Sequence, residues 1–183
     1  MDTHKAIITR RTHKIFTGEA VTHGQIRELL ELAVMAPNHR LTEPWRFVVV
    51  PHERIETFAG VVVDSIRDDE HERLLGKKRN LSEQLPKLGA FIHVAQTPND
   101  DPITQKEDYA SVCCAVQNIM LGATALGLGS FWSTGSVFLR DPVIAYLEVP
   151  QDWIPVASLW LGHPAGPAKS ARKPATMMTT WVD

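Results

Sequence analysis

Between Thr104 and Leu126 the chain reads TQKEDYASVCCAVQNIMLGATAL, and its apolar residues nearly encircle a helix drawn through them. A helix apolar on most of its circumference cannot rest on a surface. It is predicted to be a central buried element, which the remaining segments must cover. Gly127 and Gly129 mark its end, because glycine accepts the backbone turn that closes a helix.

The other segments supply that cover. The stretch DTHKAII predicts a short amphipathic helix. Thr22-His23-Gly24-Gln25 fits a capping box ahead of Ile26, Leu29, Leu30 and Ala33, spaced as one helical face. That helix should stop near Pro37. Trp45–Val50 reads as a largely buried strand of aromatic and β-branched residues, which Pro51 ends while opening a helix to about Ile66. Residues 67–87 mix both charges densely and predict a solvated helix or a mobile flap. Ala90–Gln96, SFWST and Ile154–Leu161 are further strands, and Asp141-Pro142 starts a short helix. Beyond Gly162 the tail HPAGPAKSARKPATMMTTWVD turns rich in Ala, Pro and basic residues, a composition that seldom packs on its own domain. With no repeat or linker, the expectation is one α+β domain over residues 1–183.

A net charge of −2 argues against broad nucleic-acid binding, which needs clustered Lys and Arg in excess. No uncharged apolar run approaches the ~20 residues of a membrane span, and the N-terminus lacks a signal peptide's apolar stretch, so the expectation is a cytoplasmic protein. Cys113 and Cys114 are the only cysteines. On a helix they point about 100° apart, which suits neither a bridge nor a metal. They read as small core residues in a reducing compartment.

Several catalytic signatures fail. Gly122 and Gly127 have phosphate-loop spacing, but Leu128 stands where the lysine must be. Gly127-Leu128-Gly129 begins a dinucleotide fingerprint, yet Trp132 occupies the third glycine and a helix precedes it instead of a strand. DEHER lacks the second histidine of a zinc-protease helix, and there is no Gly-x-Ser-x-Gly turn. No catalytic nucleophile and no metal site emerge.

What survives is TRRTHKIF, residues 9–16, at the end of the first predicted helix. Arg10 and Arg11 can grip a phosphate bidentately, Thr12 offers a hydroxyl and Lys14 a point charge. Alone, a paired-arginine helix end is more often plain surface. The context changes this, because IITRRTHKIFTGEAVTHGQIRELLELAVMAPNHRLTEPWRFVVV resembles the opening of the FMN-dependent nitroreductase family nearly end to end. CCAVQNIMLGATALGLGSFWSTG resembles that family's central helix and following strand, and LEVPQDWIPVASLWLGHP its last segment. Three ordered blocks span almost the whole chain, and the short length points to the compact branch that includes the YdjA-like proteins.

The resemblance implies an α+β fold with a central, mainly antiparallel sheet flanked by helices. It also implies an intertwined homodimer with two FMN molecules at the subunit interface. By resemblance Arg10, Arg11 and Thr12 meet the phosphate and ribityl end, and Lys14 reaches the pyrimidine edge. His39 falls in the segment shown to the partner's flavin, against the plainer reading of a loop histidine capping a carbonyl. Leu41 and Glu43 replace the Asn and Gln of many relatives. Trp132, Ser133 and Thr134 match a second flavin segment, although a lone strand Trp is usually core. The Gly127–Gly129 bend before it would permit close approach of a planar ligand. Arg172 sits where relatives place a phosphate-binding cation, with Lys169 or Lys173 as substitutes. The segment Gly122–Gly127, sometimes assigned to the dinucleotide in relatives, offers no phosphate donors.

The implied activity is a ping-pong reduction of nitro compounds, quinones or similar electron-poor small molecules, with NADH or NADPH as donor. The alternatives are a specialised flavin enzyme, a dehalogenase or dehydrogenase of one metabolite with residues 67–87 as its lid, or a non-catalytic flavin-binding protein. A tail from about residue 163 wrapping the partner subunit completes the expectation.

Overall fold

The computed structural model describes residues 1–182. Its sheet holds four strands, β1 (Trp45–Pro51), β2 (Ala90–Gln96), β3 (Gly129–Ser133) and β4 (Ile154–Gly162). Their order is β1-β2-β4-β3 and every pairing is antiparallel. β2 is bonded on both edges and all seven of its residues are buried. β1 is an edge strand, and for that reason the expectation of a largely buried strand is corrected: only Val50 is buried and the rest are half-buried.

Side chains alternate across this sheet. Ile92, Val94, Leu159, Leu161 and Trp132 face the layer formed by α2 (His23–Val34) and α5 (Pro102–Ala125). Phe91, Phe131 and Trp160 face the opposite layer, with α3 (His52–Asp64), α4 (Glu72–Gln84) and α6 (Asp141–Tyr146). The capping box at Thr22 and Gln25 forms as the sequence predicts. α5 starts at Pro102, where the Asp101 carboxylate accepts from the N–H groups of Ile103 and Thr104. It ends where Gly127, at φ 77°, lets the N–H of Leu128 reach the Ala123 carbonyl at 2.8 Å. Gly122 is a packing glycine: a Cβ there would lie 2.6 Å from Leu32 Cδ1 and 2.8 Å from Leu29 Cδ2, so its absence lets α2 and α5 approach.

The cysteine expectation is also corrected. Cys113 is half-buried, but Cys114, one step further round α5, is exposed, so the pair is not a core pair. The charged stretch forms α4 and a 3-10 turn at Leu85–Lys87, anchored by buried Leu81 and Leu85. Before it, Arg140 makes a bidentate pair with Glu70, both contacts at 2.6 Å. No helix among the described residues is long and apolar enough to cross a membrane.

Candidate functional site

α1 (Thr3–Thr9) carries the arginine pair to its position. The last helical bond runs from the N–H of Arg10 to the Ala6 carbonyl, and Arg10 itself has left the helical region, at ψ 128°. The chain then extends beside β3: Thr12 bridges Ser130 in parallel, and the N–H of His13 donates to the Ser130 carbonyl at 3.0 Å. Buried Phe16 locks this run, fitting against Gly162, where a Cβ would come 2.9 Å from its ring. The tail returns to the same edge. Pro164 bridges Phe16 and the Ala165 N–H donates to the Ile15 carbonyl at 3.1 Å. Beyond that contact the tail to Val182 lies almost wholly exposed.

This crossing brings cations together. The guanidinium of half-buried Arg10 is held below its ordinary pKa by burial first, then by Arg172 and Arg11. Among the described residues, no carboxylate forms an ion pair with any of the three. Arg11 is turned back to the helix end, donating to the Ile8 carbonyl at 2.8 Å and the Arg10 carbonyl at 2.7 Å. Arg172 donates to the Ala171 carbonyl and the Ser170 hydroxyl. A cluster of like charges without a counter-ion suits an anion with several acceptor oxygens.

Two cavities adjoin this edge. One, of about 530 Å³, lies between Thr12–Ile15 and Ala165–Lys169. The other, of about 440 Å³, is walled by Lys14, Lys77, Gln84, Phe131, Ser133 and Trp160, among others. Lys14 and Ile15 line both, and the Lys14 ammonium stands 5.2 Å from the centre of the Phe131 ring. In the second cavity's wall, Gln84 Oε1 and Trp160 Nε1 are buried with no hydrogen-bond partner among the described residues. Burial, then Arg73 and Arg140, lowers the pKa of Lys77. An acceptor, an indole donor and two ammonium groups lie around one apolar floor. That set can hold the edge of a planar heterocycle that both donates and accepts hydrogen bonds.

The structure therefore groups Arg10, Arg11, Thr12, Lys14, Ser133 and Arg172 along one edge. Thr134 lines a neighbouring, smaller cavity. Trp132 points to the other face of β3, half-buried against the α5 layer, with its Nε1 buried and unpartnered. The close approach expected at the Gly127–Gly129 bend is made by the protein itself: a Cβ at Gly129 would lie 3.0 Å from the His13 side chain. His39 is not part of this edge. Its Nδ1 lies 3.1 Å from Glu107 Oε2 on α5, so it pairs with a carboxylate and caps no carbonyl. The loop that carries it is strained and pinned. Leu41 and Glu43 adopt φ of 50° and 46°, and Thr42 donates to buried Asp108 at 2.5 Å. Lys77 and Gln84 escaped the sequence reading because they lie in the charged stretch. Their one signal there was position, on the same helix side as Leu81.

The nitroreductase family model matches residues 7–163. YdjA of Escherichia coli strain K12, named as an NAD(P)H nitroreductase, is 29% identical over 167 residues, which cover 90% of this chain and 89% of YdjA. A nitroreductase-like family protein from Bacillus cereus superposes with a TM-score of 0.86 at 28% identity, covering 100% of this chain and 97% of that one. A Desulfovibrio desulfuricans protein, described as a nitroreductase and solved in complex with FMN, shares the fold. Its TM-score is 0.76 at 23% identity, covering 100% of this chain and 98% of its own.

Proposed function

This chain belongs to the nitroreductase family, and from that premise we propose that it is an FMN-dependent oxidoreductase acting as a homodimer. Its donor is NADH or NADPH, and its acceptors are nitro compounds, quinones or similar electron-poor molecules, used in ping-pong order. The observation that carries this reading is the guanidinium cluster of Arg10, Arg11 and Arg172, without a counter-ion, beside a cavity holding two lysines and the unpartnered Gln84 and Trp160.

These residues fit the cofactor by their chemistry. Arg10 and Arg172 would take the phosphate, whose charge relieves their mutual repulsion, and Thr12 would add a hydroxyl donor. Lys14 and Lys77 would lie toward the pyrimidine edge, with Gln84 as acceptor and Trp160 as donor. When bound, FMN supplies the redox chemistry, a hydride taken from NAD(P)H and handed to the acceptor. The two ammonium groups would favour negative charge at that edge. The chain contributes binding, orientation and exclusion of water, and needs no nucleophile. His39, on its pinned loop, is assigned by resemblance to the partner's flavin, while the Trp132 side chain packs against the α5 layer.

The test is spectroscopic. Purified protein equilibrated with FMN should stay yellow after desalting, bleach with NADH or NADPH under anaerobic conditions, and regain colour when nitrobenzene or a quinone is added. Protein that remains colourless in excess FMN overturns the cofactor reading. Bleached protein that no such acceptor reoxidises overturns the activity.

A further inference from the structure

β3 stops at Ser133, while β4 runs on toward Ile154 without a partner on that edge. The chain leaves there through Thr134 and Gly135, and a cavity of about 200 Å³ opens at the gap. His93 on β2, Ser158 on β4 and Ser133 on β3 are register neighbours and so share one face of the sheet. All three line this cavity. His93 has no exposed surface, and neither of its ring nitrogens has a hydrogen-bond partner among the described residues. Buried polar groups are almost always paired, so an unpaired imidazole in a cavity wall keeps hydrogen-bonding capacity for a bound molecule. Burial lowers the His93 pKa to about 4, leaving the ring neutral at pH 7 with one donor and one acceptor nitrogen.

The rest of the wall defines the ligand. Thr134 adds a hydroxyl and Tyr109 a phenol ring, while Leu139, Pro155, Val156 and Ala157 are apolar, and no charged side chain among the described residues lines the cavity. Lys77 lines the adjacent cavity instead, and Ser133 is common to both walls. The volume falls below the roughly 300–1,000 Å³ of sites for drug-sized ligands, which suits a single ring. We propose that this pocket is the acceptor subsite, taking an uncharged single-ring molecule whose carbonyl or nitro oxygen accepts a hydrogen bond from His93. The proposal rests on the flavin oxidoreductase reading above.

The experiment uses FMN-loaded protein and benzamide as an unreactive probe, with the flavin spectrum recorded first. Benzamide should shift the His93 imidazole nitrogen resonances saturably, and benzoate should bind at least tenfold more weakly. His93→Leu should weaken benzamide binding at least tenfold, and His93→Gln, which restores an N–H donor, should recover most of it. In turnover, His93→Leu should raise KM for nitrobenzene by a similar factor and leave KM for NADH unchanged. Yellow protein whose His93 resonances do not move overturns this proposal alone, as does a KM increase confined to NADH. Colourless protein overturns the flavin reading and this one with it.

Discussion

At the scale of residues, the two adjacent arginines are not equivalent. Arg11 is spent on the carbonyls at the end of α1, while Arg10 makes no such contact and is crowded by Arg172. Arg10→Ala should therefore weaken FMN retention by at least tenfold. Arg11→Ala should cost much less cofactor and instead loosen the helix end, by up to about 1 kcal/mol. Fluorescence titration of free FMN against each variant, with thermal melts of the same samples, checks this. Equal losses of FMN in the two variants would contradict the assignment. Their adjacency was visible in the sequence, but their division of labour was not, because it depends on which guanidinium the helix end turns back.

At the scale of elements, β2 is the strand on which most depends. It is paired on both edges, packed on both faces, and carries His93 without a partner. Its pKa falls from the ordinary 6.5 to about 4 through burial. Between those values the unfolded chain binds a proton that the folded chain refuses, so stability falls as pH falls. The loss should reach on the order of 3 kcal/mol at the acid end. Urea unfolding at pH 7.5 and pH 5 should show a steeper loss for the native chain than for His93→Leu. Parallel pH dependence in the two would remove His93 as the cause. α4 illustrates a different control. Its charged sequence predicts a solvated helix or a mobile flap; the helix forms behind the His71 cap, and just ahead of that cap the Glu70–Arg140 pair ties the segment to the start of α6. That pair is separated by 70 residues and no local pattern signals it.

At the scale of the molecule, apolar side chains remain exposed on α1 (Ile7, Ile8), at the end of α2 and just beyond it (Leu32, Val34, Met35) and in the tail (Met177, Met178, Trp181). A chain this well packed elsewhere leaves such surfaces for an interface. If the proposed homodimer buries them, and the tail lies on the partner as the sequence leads one to expect, the tail should matter to assembly. Removing residues 165–183 should shift the protein toward monomer in size-exclusion chromatography at micromolar concentration. It should also lower FMN affinity through the loss of Arg172. A truncated chain that elutes as an undiminished dimer would count against the tail's role.

Local chemistry determined much of this protein in advance. The capping box at Thr22, the bounds of β2, the glycine stop of α5 and the cation run at Arg10 are set by neighbours in sequence, since caps, alternation and turn conformations act over a few residues. Tertiary structure decided what depends on distant partners. It made β1 an edge, put Cys114 in solvent, packed Trp132 against the α5 layer, tied His39 to Glu107 and left His93 alone beside a cavity. Burial and pairing are properties of what packs against a residue, and contacts across the fold carry no signature in the residues on either side.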